Sequence, residues 1–120
     1  MREAQARETV ERLAPLPDPV LLAGRLAPEG SPAYVTLIGP AGFADAWPFL
    51  RPGDPGLTCC HPPTLTGAQA LSERSTLVLA RGDVLFLDAE RLGLRPGQRT
   101  RTGRWPAPHG GLVVRAQVRP

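Results

Sequence analysis

The chain has 120 residues, a length that suits one small domain spanning residues 1–120. With 42% hydrophobic and 21% charged residues its composition is not that of a disordered segment, and no apolar run approaches the ~20 residues of a membrane span. The net charge of +3 is unevenly built: every basic residue is an arginine, with seven against eleven acids in residues 1–90 and seven against none in residues 91–120.

The first residues, Met1-Arg2-Glu3-Ala4-Gln5, mix charges and lack an apolar signal core, so a cytoplasmic location is expected. Residues 2–14 read as a helix. Ala6, Val10, Leu13 and Ala14 form one stripe, Glu3/Arg7 and Glu8/Arg12 are favourably oriented i,i+4 pairs, and Pro15 and Pro17 stop the helix. Val20-Leu21-Leu22-Ala23 has the continuous apolar pattern of a strand buried on both faces, and Gly24 ends it. Ser31-Pro32 starts a second helix over Ala33–Ile38, with Gly39 as its expected closing residue. Residues 40–70 form a loop-rich connection punctuated by Pro48, Pro52, Pro55, Pro62 and Pro63, with Trp47 and Phe49 as candidates to pin it. Thr76–Ala80 and Val84–Leu87 read as two strands of a hairpin turning at Arg81-Gly82-Asp83. Turn chemistry fills 93–111, and Leu112–Val118 is a final strand. The order of elements predicts an α+β fold, with one mainly antiparallel sheet and helices packed on one side.

Cys59 and Cys60 are adjacent. With Cα atoms ~3.8 Å apart across a trans peptide they do not suit ordinary disulfide geometry, so a reduced, structural pair is expected. With His61 they spell Cys-Cys-His, but zinc takes four convergent ligands and only His109 remains to help, so no metal is assigned.

An ordered set of motifs carries the most specific signal. It runs from Gly42-Phe43-Ala44-Asp45-Ala46-Trp47 through Asp54-Pro55-Gly56-Leu57-Thr58-Cys59-Cys60 to Leu71-Ser72-Glu73-Arg74-Ser75-Thr76-Leu77-Val78-Leu79. It closes on Gly103-Arg104-Trp105-Pro106-Ala107-Pro108-His109. In this order the chain resembles the C-terminal half of the endonuclease/exonuclease/phosphatase family, metal-dependent phosphoesterases with a DNase I-like fold. The resemblance implies half of that α/β sandwich, with the family's N-terminal half, and its metal-binding Glu and early Asn, absent.

Phosphodiester hydrolysis needs a divalent cation, a base and groups that stabilise charge on the phosphoryl oxygens. The resemblance aligns the family's three remaining motifs with replaced residues. Arg25 stands at the Asp of Gly-Asp-Phe-Asn and Ala27 at its Asn. Thr76 stands at the Asp that orients the catalytic His, where it could still accept a hydrogen bond from that ring. Pro108 stands at the Asp of Ser-Asp-His, whose His survives as His109, expected near its ordinary pKa of ~6.5. The implied protein is inactive alone, with the ancestral magnesium lost and His109 vestigial. A second reading is a binding module: a homodimer, or a partner chain supplying the missing half, covers the exposed sheet face. Its variant is weak nucleic-acid or phosphate binding through Arg99, Arg101 and Arg104, with Arg91 and Arg95 nearby. A third is a residual or split Mg-dependent hydrolase, in which a separate chain completes the site or His109 joins Asp83, Asp88 or Glu90.

Overall fold

The computed structural model describes residues 1–119. Helix α1 (Glu3–Leu13) carries the predicted ion pairs, Arg7–Glu3 at 2.7 Å and Arg12–Glu8 at 3.2 Å. Both are exposed, so each adds only a few tenths of a kcal/mol, roughly. The helix is held by its apolar stripe: Ala6 is fully buried, with Val10 and Leu13 packed beside it. In α2 (Pro32–Ile38) the Ser31 hydroxyl accepts from the Tyr34 amide at 3.2 Å, the N-cap bond the sequence predicts. Gly39 closes the helix at φ −78°, outside the left-handed region.

Strand β1 (Val20–Arg25) pairs antiparallel with β3 (Thr76–Arg81), and the short β2 (Ala44–Asp45) takes the other edge of β3. The helices cover one face of this sheet, where Leu77 and Leu79 are fully buried among Leu37, Tyr34 and Phe43. Burying each of these leucines is worth roughly 1.5–3 kcal/mol. Contrary to the two-sided burial its sequence suggests, β1 lies at an edge: Val20 and Leu22 face the helices, and Leu21 is 53% exposed.

The predicted β3–β4 hairpin does not form. The chain turns at Gly82, but β4 (Val84–Leu92) leaves the first sheet and pairs antiparallel with β5 (Gly111–Val118), with a register shift between Phe86 and Asp88. The reason is occupancy: both edges of β3 are already taken, one by β1 and one by β2. The strands thus form two antiparallel ladders where one sheet is expected, and the α+β class stands. The second ladder brings Phe86 against Ala80 and Ala46, packing the other face of β3 together with α3 (Ala46–Leu50).

The long connection wraps the core. The Trp47 indole N–H donates to the Asp54 carbonyl at 3.0 Å, and Arg91 donates to the Leu57 carbonyl at 2.7 Å. Trp47 is buried; Phe49, the other expected pin, is 62% exposed and only edges onto Phe86.

Candidate sulfur and imidazole site at one sheet end

Arg25 ends β1 and Thr76 begins β3, and the two are direct register partners. Beside them runs the segment Thr58–Cys60, pinned on both sides. Cys59 forms isolated bridges to Glu73 and to His109. The fully buried Thr58 hydroxyl accepts from the amides of Ser75 and Thr76 at 3.1 and 3.2 Å. The Gly110 amide donates to the Thr58 carbonyl at 2.7 Å, and the His61 amide to the Pro108 carbonyl at 2.8 Å. Three segments distant in sequence are therefore stitched together by their backbones, and His109 is delivered to the cysteine pair.

Cys59 and Cys60 are joined in a disulfide, where a reduced pair is expected from sequence. The two adjacent side chains turn toward each other, so their sulfurs meet. His109 Nε2 lies 3.7 Å from Cys60 Sγ. Among the described residues, Cys59, Cys60 and His109 form a group whose potential ligand atoms all lie within 4.8 Å of one another. The sequence neighbour His61 takes no part. It is buried, its Nε2–H donates to the Gly93 carbonyl at 2.8 Å, and its ring stacks on Trp105 at 4.1 Å.

Arg25 Nη1 sits 3.1 Å from Nδ1 of His109 and 3.5 Å from Nε2. The nitrogens of one imidazole are too close together for a donor at both distances to lie along either lone pair, so the guanidinium rests on the ring's face. Burial first, then the Arg25 charge, lower the His109 pKa, against a smaller upward pull from Glu73. The ring is thus displaced from the ordinary value expected for it and favours its neutral form.

The remaining motif positions diverge. Thr76 Oγ1 donates to the Gly110 carbonyl at 3.0 Å, and among the described residues it takes no hydrogen bond from the His109 ring. Ala27 is buried in the helix-side core, and the Pro108 side chain is exposed. Arg25, Glu73, Ser75 and His109 line a cavity of about 140 Å³. The Ser75 hydroxyl there is buried and has no hydrogen-bond partner.

The three basic candidates are not brought into one cluster of free charges. Arg99 lies 4.3 Å over Trp105 and donates to the Gly67 carbonyl at 2.8 Å, while Arg101 and Arg104 are exposed. The acids considered as partners for His109 are engaged or placed elsewhere. Asp88 pairs with Arg51 at 3.5 Å, Glu90 with Arg95 at 3.8 Å, and Asp83 sits in the β3–β4 turn.

A second polar cluster escaped the sequence reading. Arg74, 3% exposed, holds Asp45 through two bonds of 2.6 and 3.1 Å and reaches Glu29 at 2.6 Å. The Tyr34 hydroxyl donates to Asp45 at 2.7 Å. Burial opposes the Arg74 charge, but hydrogen bonds to Asp45 and Glu29 outweigh it and push the pKa up. Burial and the bond to Asp45 push Tyr34 up to about 12.

No protein-family model matches the chain, and no curated protein matches it either.

Proposed function

We propose that this chain is a phosphoesterase-like domain, corresponding to the second half of a DNase I-like fold, that does not hydrolyse phosphoesters by itself. The contact between Arg25 and His109 carries this reading. At the place where the resembled family needs a carboxylate to serve as base, a guanidinium lies on the surviving imidazole. Exchanging a carboxylate for a guanidinium reverses the local charge and opposes a magnesium ion. The convergent donors beside it are sulfur and nitrogen, whereas hard magnesium prefers oxygen. Loss of a general base costs about 10²–10⁴-fold, and loss of an electrostatic stabiliser about 10²–10³-fold.

The test is hydrolysis of a chromogenic phosphodiester and phosphomonoester with magnesium. The expected rate equals the buffer blank. Magnesium-stimulated turnover that disappears in His109→Ala overturns the proposal.

A second reading, an interaction module, is favoured by apolar side chains left on strand surfaces. Leu21 on β1, Leu85 and Leu87 on β4 and Val113 on β5 are 53, 44, 43 and 52% exposed. A partner chain or a second copy covering them would remove that area from water. Light scattering on a size-exclusion column decides: a mass above one chain that rises with concentration supports it, and a monomer at all concentrations removes its basis.

A further inference from the structure

The sulfur and imidazole cluster has a chemistry unrelated to phosphoester cleavage. We propose that, once the Cys59–Cys60 disulfide is reduced, the two sulfurs and His109 Nε2 form a binding site for a thiophilic divalent cation such as Zn²⁺, its fourth position open to the adjoining cavity. This does not rest on the phosphoesterase reading and stands whether or not that reading survives.

Distance is the first support. In a tetrahedral zinc centre, Zn–S bonds of about 2.3 Å and Zn–N bonds of about 2.0–2.1 Å set sulfur and nitrogen about 3.5 Å apart. Cys60 Sγ and His109 Nε2 stand 3.7 Å apart. The backbone already holds the ligands in place, because the bridges from Cys59 run to Glu73 on one side and to His109 on the other. Reduction frees the two sulfurs to separate by side-chain rotation, while these bridges keep Cys59 and His109 adjacent.

Charge is the second. Two thiolates cancel a divalent cation, so Arg25 faces a centre without net charge. The guanidinium lies on the ring face and leaves the Nε2 lone pair free for the metal, which takes neutral imidazole. The third support is independent of the ligands. The cavity beside His109 is lined by Ser75, whose buried hydroxyl has no partner, and by Arg25, which suits a water or an anion as fourth ligand.

The chemistry balances. A dithiol reductant gives two electrons and two protons to the Cys59–Cys60 bond and leaves as its own disulfide. Each of the two resulting thiols then loses a proton as its sulfur binds the cation, so each bound cation releases two protons.

The experiment titrates Zn²⁺ into the chain after dithiol reduction and desalting without oxygen, in parallel with the oxidised chain. Co²⁺ serves as the spectroscopic probe. One Zn²⁺ per reduced chain is expected, with two protons released, read from the dependence of calorimetric heat on buffer ionisation. Co²⁺ should give sulfur-to-cobalt charge-transfer bands and the intense visible bands of a tetrahedral centre. The oxidised chain should give neither. His109→Ala should weaken Zn²⁺ binding by about tenfold or more, and a Cys59→Ser/Cys60→Ser double variant should abolish it. The oxidised–reduced contrast needs no substitution, so a variant that fails to fold does not blunt the test. A reduced chain with native circular dichroism that takes up no Zn²⁺ overturns the proposal. So does equal uptake by the oxidised chain, or undiminished uptake by a folded double variant.

Discussion

Arg74 is nearly sealed from water, yet it stays charged because Asp45 and Glu29 supply the hydrogen bonds that solvent would otherwise provide. Asp45 is just as dependent on Arg74: its side chain is 5% exposed. Removing one member of a buried pair leaves the other charge uncompensated, which costs about 3–5 kcal/mol. Arg74→Met should lower stability by that amount in urea unfolding, far more than loss of an exposed pair such as Arg12–Glu8. Tyr34→Phe is gentler, because Arg74 still holds Asp45; about 1 kcal/mol is expected. The sign with pH follows from the raised phenol pKa. The folded protein keeps the proton up to about pH 12, and the unfolded chain releases it near its ordinary value of 10.0. Between those values the folded state binds more protons, so the stability Tyr34 contributes is complete below pH 10 and is lost as pH rises through 10 to 12. The chain has one tyrosine, so the tyrosinate absorbance reads this group alone and should titrate near 12 in the folded protein. A midpoint near 10 under folded conditions would show the phenol free of Asp45. Nothing local in the sequence marks this cluster. Glu73-Arg74 is noticeable as part of a motif, but the partners of Arg74 lie 29 to 45 residues away.

Elements written in local chemistry were legible, and pairings between distant elements were not. The stripe and the prolines of α1 bound it to within a residue of its observed ends, and Ser31-Pro32 marks the start of α2. The turn Arg81-Gly82-Asp83 also reads correctly as a turn, but a turn does not say which strand its second arm will join. That depends on β2, two residues long and without a periodic signature, which occupies the edge of β3. The site divides the same way. Motif order singled out Arg25 and His109, which meet across 84 residues. Of the two histidines that the sequence sets beside the cysteines, His61 packs on Trp105 and only His109 reaches them. Gly82 is where the redirected chain is most exposed to test. Its φ is +96°, and a Cβ there would lie 2.7 Å from Asp18 Cβ and 3.1 Å from the Pro19 Cα. Gly82→Ala combines left-handed strain with contact against the residues leading into β1, so a loss of about 1–3 kcal/mol is expected. An unchanged urea midpoint would mean that the turn relaxes freely and does not constrain where β4 goes.

On the scale of the whole molecule, the question is whether the basic last quarter of the chain acts as one field. The described residues extend 47 × 31 × 24 Å, several times the roughly 8–10 Å screening length at physiological salt. Charges at opposite ends therefore do not add. Nor are the arginines equally free: Arg91 donates to the Leu57 carbonyl, Arg95 faces Glu90 and Arg99 lies on Trp105. Of the other four, Arg115 and Arg119 are exposed on β5 and just after it, and Arg101 and Arg104 are exposed together near one turn. Two such cations engage about two phosphates at once, so the affinity for single-stranded DNA should fall with salt at a log–log slope of about −1.4. Fluorescence anisotropy with a labelled oligonucleotide at several salt concentrations measures it, and Arg101→Ala/Arg104→Ala should remove most of the binding. A slope of about −5 requires all seven arginines to reach phosphate together. That result would mean that Arg91, Arg95 and Arg99 leave their present partners, and that nucleic acid reorganises the loops between β4 and β5.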